Sequence, residues 1–488
     1  MADNDVPDQV VAAPTYMADI RFFFRPEDVE HMAAKGINLG TYDGVKKHAY
    51  AVFAHTAPPK PDMPPDPAPK WSAARSQTFN NWIHNGFPLG ASTPRAVSPN
   101  TLSDRLRKNI TSLSELEIET LRNAFTGLMQ RDPADDNSYF ALAGYHGLPH
   151  AWCLHHEDRF NPWHRVYLKL FEDALRSVSG CADVTLPYWD ITTPLPEVLQ
   201  QPPFDSYTLP HDPGVTADPP QPKVYFPYTT KRFVPQDITE KLQNTGVFVD
   251  IGVALSQSAW GASNDNGYQD FSIQAHDSGH NAVGPTMAAQ EVSSYDPVFW
   301  FFHCNIDRLW LQWQQQHQAT TLTGFKSTLG SNLDWLSAPL DGFTTTADQT
   351  ISFGISYDFE GPEVALVNEL GSIPAARTFL IKRSAPVSVR VKGIDRLNIP
   401  GSFTVKLLAD GEPIAQRGFF QPNSPQNCEN CRKQALVNID FRLDQEELLD
   451  RKLSVEIDVV GQEGIGASFP LSQAGDPTIN VRLLLEDE

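Results

Sequence analysis

Long hydrophobic runs, an even set of cysteines and an excess of positive charge are all missing from this chain of 488 residues. No apolar run approaches the roughly 20 residues that span a bilayer, so no membrane-crossing helix is expected. The five cysteines are an odd and sparse set, which does not resemble a disulfide framework. The 59 acidic residues outnumber the 38 basic ones, and the net charge of -21 argues against nucleic acid and anionic membranes as partners. The N-terminal residues lack the basic and apolar segments of a secretory signal, so we expect a cytoplasmic location.

The composition indicates a globular protein with more than one domain. Apolar residues make up 41% of the chain and charged residues 20%, as in globular proteins. A chain of 488 residues is longer than a domain with a single hydrophobic core usually is. Residues 1–100 are interpreted as an N-terminal extension with a proline-dense linker at about 56–70. Helical patterns and most tryptophans lie in residues 101–345, which are predicted to form a mainly α core domain, a helical bundle.

Residues 346–488 alternate apolar with polar side chains. Alternation with a period of two, between turns rich in Gly, Pro and Asp, is typical of half-buried antiparallel strands. We therefore predict a C-terminal antiparallel β-sandwich domain. The alternation is clearest in four segments, residues 387–391, 403–407, 437–441 and 455–459.

One set of histidines is spaced for metal binding on two helices. His276 and His280 are four residues apart, which places both imidazoles on one face of a helix, one turn from each other. His303 begins a run whose apolar residues recur at helical spacing. We therefore expect a second helix to present His303 from its first turn.

A second set, earlier in the chain, combines a helix with a loop. Asn161-Pro162 is a helix-start signature, a capping side chain followed by proline, and it places His164 in the first turn. His155 precedes that start and must come from a loop, where Cys153 is placed to fix its ring.

His146 completes the earlier set, but spacing alone leaves alternatives open. His150 could replace His146, and His156 could replace His155. Three imidazoles in each set would bind two metal ions. All-nitrogen ligation suits copper or zinc, with iron or nickel possible, and would serve either hydrolysis or dioxygen chemistry.

The motifs together resemble the tyrosinase and polyphenol oxidase family of type-3 copper proteins. The resemblance covers about residues 101–320 and rests on four patterns: His-Gly-x-Pro, Cys-x-His-x8-His-Arg, His-x3-His and Asp-Pro-x-Phe-Trp-x-x-His-x-x-x-Asp-Arg. It selects His146 and His155 over their neighbours. It implies two copper ions, one held by His146, His155 and His164 and the other by His276, His280 and His303.

The resemblance also implies an activity with dioxygen as co-substrate. Members of this family oxidise o-diphenols to o-quinones, and some hydroxylate monophenols such as tyrosine ortho to the hydroxyl, a route to melanin. Small phenols are therefore the expected partners, and an oligomer is possible. A catechol oxidase without monophenolase activity and a hemocyanin-like oxygen carrier are the alternatives.

Cys153 acquires a role through the resemblance, and the chemistry of a later cysteine pair suggests another. The order Cys153-Leu-His155 resembles members in which the cysteine sulfur is joined to the histidine ring, so a thioether is predicted. Cys428 and Cys431 form a pair with thiolate affinity for Cu(I), and we hypothesise that they pass copper to the site; a disulfide or a pair without a role is the alternative.

The residues beside His276 and His280 depart from the family pattern. Many members hold a glutamate shortly before this set, and residues 270–275 contain none. Asp277 and Asn281, each directly after a ligand, are therefore the candidate catalytic residues; Asp277 could act as a base or only orient its neighbouring imidazole. Family members often carry a β domain over the copper site, and Phe419 and Phe420 are the candidate lid residues.

Overall fold

The protein consists of an N-terminal helical cluster, a helical core and a C-terminal β-sandwich. The computed structural model describes residues 9–358 and 386–483, with short gaps of which the longest are 98–104, 214–227, 262–266 and 461–467. In these residues no helix is both long and apolar enough to cross a membrane.

The N-terminal cluster packs around aromatic side chains. Trp71 lies edge-on to Phe23, Phe24 and Phe79, with ring centroids 5.4 to 5.6 Å apart. The last of its helices starts where the Ser72 side chain accepts a hydrogen bond from a backbone N–H in the first turn. Its three helices are α1 (Pro26–Ala33), α2 (Tyr42–Thr56) and α3 (Ala73–His84).

The core is mainly helical, as predicted. Its first long helix is fixed by a capping box in which Ser114 and Glu117 bond to each other's backbone N–H groups. The core helices are α4 (Glu115–Met129), α5 (Tyr139–Ala143), α6 (Phe160–Arg176), α7 (Pro235–Asn244), α8 (Val247–Ser256), α9 (Tyr268–Val283), α10 (Val298–Gln316) and α11 (Leu322–Ser327).

Helix α6 starts earlier than the sequence signature indicates. Its first residue is Phe160 and its N-cap position is Arg159, so Asn161 and Pro162 lie inside the first turn. Proline is tolerated there because its missing N–H would have no partner within the helix. The amide of Asn161 donates to the Gln269 side chain instead of capping. His164 consequently lies in the second turn, which corrects the prediction.

Helix α10 also starts earlier than expected. It begins at Val298, whose backbone N–H donates to the Asp296 carboxylate. A carboxylate at a helix start accepts N–H groups that have no partner within the helix. His303 therefore projects from the second turn of α10, and the prediction of a first-turn position was wrong.

The C-terminal domain is the predicted antiparallel sandwich. Two three-stranded sheets, in the orders β6-β3-β8 and β5-β4-β7, pack their apolar side chains against each other. A short helix, α12 (Glu429–Lys433), precedes β6. The strands are β3 (Pro386–Asp395), β4 (Phe403–Ala409), β5 (Glu412–Phe419), β6 (Leu436–Asp444), β7 (Leu453–Val459) and β8 (Thr478–Leu483); a separate parallel pair joins β1 (Leu106–Arg107) to β2 (Ser356–Tyr357).

The sandwich docks on the core where β5 meets α9. A Cβ atom at Gly418 would lie 2.8 Å from the Cα atom of Ser278, so only glycine permits this approach. The backbone N–H of Gly418 donates to the Ser278 hydroxyl at 2.8 Å. Beside this contact, Arg417 of β5 forms a buried ion pair with Asp250 of α8 at 2.7 Å. The sandwich is thereby fixed against the helix that carries His276 and His280.

Candidate metal centre

Helices α9 and α10 bring the later histidine set together. The rings of His276 and His280 are one helical turn apart, with centroids separated by 4.4 Å. His303 faces both from α10, at centroid distances of 5.0 and 5.2 Å. One ring nitrogen from each of the three lies within 4.8 Å of the others, close enough for all to bind one ion.

The earlier set comes from three different segments. His146 follows α5, His155 lies in a loop and His164 projects from α6. Their ring centroids are 5.1 to 5.5 Å apart. The expected combination of loop and helix is therefore present in the structure.

The two sets face each other across one buried space. His164 and His303 stack in parallel with centroids 4.4 Å apart, and His155 lies 5.4 Å from His276. Nitrogens of His146, His164 and His303 also lie within 4.8 Å of one another. All six imidazoles are at most 5% exposed. The six rings form a single cluster with two halves.

Four of the six rings are held by a hydrogen bond at Nδ1. Such a bond sets the ring orientation and leaves Nε2 available to a metal. The bonds are His146 to Ser293 Oγ (3.3 Å), His164 to Phe160 O (2.8 Å), His276 to Asp277 Oδ1 (2.9 Å) and His280 to Met287 O (2.7 Å).

Four of the six Nε2 atoms at the centre lack protein partners among the described residues, whereas those of His280 and His303 lie 3.0 Å from each other. Among the described residues, Nε2 of His146, His155, His164 and His276 is buried without a hydrogen bond. Buried polar atoms without partners are costly unless something else binds them. Their convergence in an all-imidazole pocket fits a metal site, and the donor set suits copper.

The lowered pKa values of these histidines favour the neutral imidazole, which is the form that binds a metal. Burial lowers the pKa of His164 and His280 to about 3. For His146, burial is again the main cause, and the neighbouring His164 and His280 lower its pKa further. The imidazoles are therefore neutral near pH 7, as metal ligation requires.

The structure places the alternative histidines outside the cluster. His150 stacks on Trp152 at a centroid distance of 4.2 Å. His156 stacks on Phe419 at 4.4 Å, and its Nε2 lies 3.2 Å from the carbonyl oxygen of Phe420. Neither ring takes part in a group of converging metal-ligand atoms among the described residues.

Cys153 lies directly beside the earlier set. Its Sγ donates to the carbonyl oxygen of His146 at 3.2 Å and accepts from the Gln290 side chain at 3.1 Å. It also lies within 4.8 Å of a ring nitrogen of both His146 and His155. The sulfur is therefore within reach of the His155 ring.

Asp277 connects the later set to the sandwich. One carboxylate oxygen accepts from His276 Nδ1, and the other accepts the backbone N–H of Phe420 at 3.0 Å. Burial raises the pKa of Asp277 well above its ordinary value, while the Phe420 N–H and the charge of Arg396 lower it. Asn281, the second candidate catalytic residue, donates through Nδ2 to the carbonyl oxygen of Phe403 at 3.1 Å.

The two candidate lid residues have different surroundings. The Phe420 ring stacks on His280 at 4.1 Å and lies edge-on to His155 at 5.3 Å and to His276 at 5.7 Å. Phe419 packs within the sandwich, where it stacks on Phe403 at 4.9 Å. Phe420 alone therefore reaches the centre of the histidine cluster.

The pair of cysteines before β6 adjoins the same site. The backbone N–H of Cys431 donates to Cys428 Sγ at 3.2 Å, and Arg396 donates to Cys431 Sγ at 3.4 Å. The hydrogen bond from the Cys431 side chain is the main cause that lowers the pKa of Cys428 to about 6. Between them, the Asn430 side chain donates to the carbonyl oxygen of His155 at 3.1 Å.

Several residues that support the site were not found from the sequence. Gln290 and Ser293 contact the earlier set, Glu291 accepts two hydrogen bonds from Asn423 of the sandwich, and Arg396 lies behind the cysteine pair. Each acts across more than 30 residues of sequence, and no local spacing reveals such contacts. The fold and the cluster define a class: a helical protein with a buried, all-histidine metal site.

Comparisons with known proteins narrow this class. The family model of the common central domain of tyrosinase matches residues 136–245 and 195–316. An Enteroctopus dofleini hemocyanin (A-type, units Ode to Odg) is 32% identical over 287 residues, 52% of this chain and 21% of that protein. The Aspergillus oryzae tyrosinase is 25% identical over 472 residues, 67% of this chain and 86% of that protein. A structure of latent and active mushroom tyrosinase has a TM-score of 0.57 at 17% identity, over 80% of this chain and 94% of that one.

Residues 136–316 contain the common central domain of tyrosinase, and the similar tyrosinases and hemocyanins support the tyrosinase family of type-3 copper proteins for this part of the chain. This family implies a dicopper centre, and the histidine groups described above fit metal binding. The chain spans only 21% of the octopus hemocyanin, so the assembly and activity of that protein do not transfer by similarity alone.

Proposed function

We propose that this protein is a copper-dependent oxidase of phenols that converts o-diphenols to o-quinones and, to a smaller extent, hydroxylates monophenols. The observation that carries the proposal is the convergence of six buried, neutral imidazoles, four of which have an Nε2 atom without a protein partner among the described residues. His146, His155 and His164 would hold one copper ion, and His276, His280 and His303 the other. Copper there would supply dioxygen binding and the change of oxidation state that phenol oxidation needs.

The residues around the imidazoles suit an aromatic substrate and a dry site. Phe299 packs on His303 at 4.1 Å, and Phe160 lies 4.8 Å from His276. Apolar, aromatic walls of this kind bind flat rings and exclude water. Phe420 stacks against the histidines in the manner of such a ring.

We propose that Phe420 holds the place of the substrate and that the sandwich keeps the intact chain latent. The ring lies among three of the imidazoles, and the backbone N–H groups of Gly418 and Phe420 donate to side chains of the core. The similar mushroom tyrosinase was solved in a latent and an active form. A phenol would enter only after this ring moves away.

Asp277 is proposed to orient a ligand and not to accept the substrate proton. Both carboxylate oxygens are already engaged, one by His276 and the other by Phe420. Asn281 donates to the sandwich backbone in the intact chain, and moving the sandwich away would free its amide to contact substrate.

The remaining cysteine roles stay proposals that the geometry supports. A thioether between Cys153 and His155 is supported by the closeness of the sulfur to that ring. Transfer of Cu(I) by Cys428 and Cys431 is supported by the contact of Asn430 with the His155 loop. A cytoplasmic location and an oligomeric state are proposed from the sequence and from the hemocyanin relatives.

An oxygen carrier is the second candidate, because hemocyanins are among the relatives and Phe420 covers the site. Oxygen uptake by the copper-loaded chain should be measured with 4-methylcatechol and with tyramine side by side. An oxidase consumes oxygen in proportion to the phenol added, faster with the diphenol. Reversible oxygen binding without consumption, in both the intact chain and a chain freed of the Phe420 ring, would establish the carrier instead.

A further inference from the structure

The loop that joins α9 to α10 reaches over to the earlier histidine set. Gln290 of this loop is 8% exposed, and its side-chain amide donates to Cys153 Sγ at 3.1 Å. The two residues are 137 positions apart in the sequence. Sulfur is a weak hydrogen-bond acceptor, and a buried glutamine amide ordinarily donates to an oxygen instead.

The contact restricts where the sulfur of Cys153 can lie. A cysteine side chain has three staggered rotamers, which point its sulfur in different directions. Here Sγ donates to the carbonyl oxygen of His146 and accepts from Gln290. Together these bonds select a rotamer in which Sγ stays within 4.8 Å of a ring nitrogen of His155.

The rest of the loop keeps Gln290 in place. Glu291 accepts the backbone N–H of Leu148 at its carbonyl oxygen, and Ser294 donates to the carbonyl oxygen of Ala143. Both bonds tie the loop to the segment around His146. The amide therefore approaches Cys153 from a fixed backbone, as a positioning group requires.

We propose that Gln290 is a positioning residue that sets the rate at which Cys153 and His155 become joined by a thioether. This inference rests on the proposed copper function. In the reaction the Cys153 S–H bond and one ring C–H bond of His155 break, and a C–S bond forms. The two electrons and two protons released pass to dioxygen, which is reduced to hydrogen peroxide. Gln290 acts by holding Sγ beside the ring and takes no part in the electron transfer.

The test compares cross-linking rates in variants that keep the volume of the side chain. Gln290→Met removes the amide donor, and Gln290→Glu replaces it with a carboxylate that cannot donate when ionised. Gln243→Met, at an exposed position of α7, is the matched control. Copper is added in air to metal-free protein, and the peptide containing Cys153 and His155 is followed by mass spectrometry for the loss of two hydrogens. Copper content and melting temperature are measured on each sample.

At equal copper content, both Gln290 variants should form the cross-link about fivefold more slowly than the wild type, the factor associated with one neutral hydrogen bond. Gln243→Met should match the wild type. Wild-type rates in both Gln290 variants would overturn the inference, as would a normal rate in Gln290→Glu alone. A wild-type chain that binds two copper ions and never loses the hydrogens would overturn the thioether itself. A chain that fails to bind copper would overturn the proposed function.

Discussion

Asp277 links His276, a proposed metal ligand, to the docked sandwich through its two carboxylate oxygens. One oxygen accepts from the ring of His276, and the other accepts the backbone N–H of Phe420. A carboxylate behind a metal-binding histidine fixes the tautomer and strengthens the ligand. The same side chain therefore holds the ligand and the residue that covers it.

Replacing Asp277 with alanine should weaken copper binding at the later set by about 10- to 100-fold, because the His276 ring loses its partner. Copper retained by the protein against increasing concentrations of a chelator measures the effect. Asp183→Ala, at an exposed position away from the cluster, is the control and should bind copper like the wild type. Unchanged copper retention in Asp277→Ala would show that the carboxylate does not support the ligand.

Spacing in the sequence predicts contacts between residues that are close together in the chain. His276 and His280 were predicted to share one helix face, and α9 places them one turn apart. The contacts of Gln290 with Cys153 and of Glu291 with Asn423 cross 137 and 132 positions. They depend on how the loops pack in three dimensions, which no periodicity records.

At the scale of elements, the interface between β5 and the core depends on a buried ion pair. Arg417 lies 2.7 Å from Asp250, and both side chains are at most 4% exposed. Removing one partner of such a pair leaves a buried charge without compensation.

Arg417→Met should lower the free energy of unfolding by about 3 to 5 kcal/mol, while the double variant Asp250→Leu, Arg417→Met should stay close to the wild type. Urea unfolding of the two proteins measures the difference. A single variant as stable as the wild type would mean that Asp250 is not left charged in the interior.

A second interface contact gives the docking a pH dependence. Glu291 accepts the backbone N–H and the side-chain amide of Asn423. Burial nevertheless raises the pKa of Glu291 from 4.5 to about 7. The folded protein therefore keeps a proton that the unfolded chain releases. The stability from this group is fully present below about pH 4.5 and is lost as the pH rises to about 7.

Glu291→Gln, which does not titrate, should reduce the fall in unfolding free energy between pH 5 and pH 8 by roughly 2 kcal/mol. Denaturant unfolding at both pH values checks this. Gln243→Glu, at an exposed position, adds a carboxyl group without burying it and should leave the pH profile unchanged. Equal pH profiles for Glu291→Gln and the wild type would exclude the raised pKa.

Element type was predictable where side-chain periodicity is strong. The four alternating segments all lie within strands of the sandwich. Strand β5 contains Pro413 and Gly418, and its buried residues do not alternate with exposed ones. The sequence of β5 therefore lacks the period of two that predicts a strand. The starts of α6 and α10 were placed too late. Helix α6 begins after Arg159, which makes no side-chain cap bond, and α10 begins where Asp296 accepts the backbone N–H of Val298.

At the scale of the whole molecule, the sandwich and the helical core meet at the histidine cluster. The core supplies the six imidazoles, and the sandwich supplies Phe420 and its backbone hydrogen bonds. The order of domains was predictable from the change of pattern along the chain. Which phenylalanine enters the site was not, because Phe419 and Phe420 are adjacent, and the sequence does not show that Phe419 ends β5 in the sandwich while Phe420 follows the strand and reaches the histidines.

Oxygen uptake with 4-methylcatechol by the copper-loaded Phe420→Ala variant tests the central claim most directly. Removing this ring should raise the rate of oxygen consumption well above that of the intact chain, because the space beside His280 becomes available to substrate. Phe419→Ala is the matched control: it removes a buried core ring, so it should cost about 3 to 5 kcal/mol of stability without opening the site. A folded Phe420→Ala variant that binds two copper ions and oxygen but consumes none with the diphenol would contradict the account.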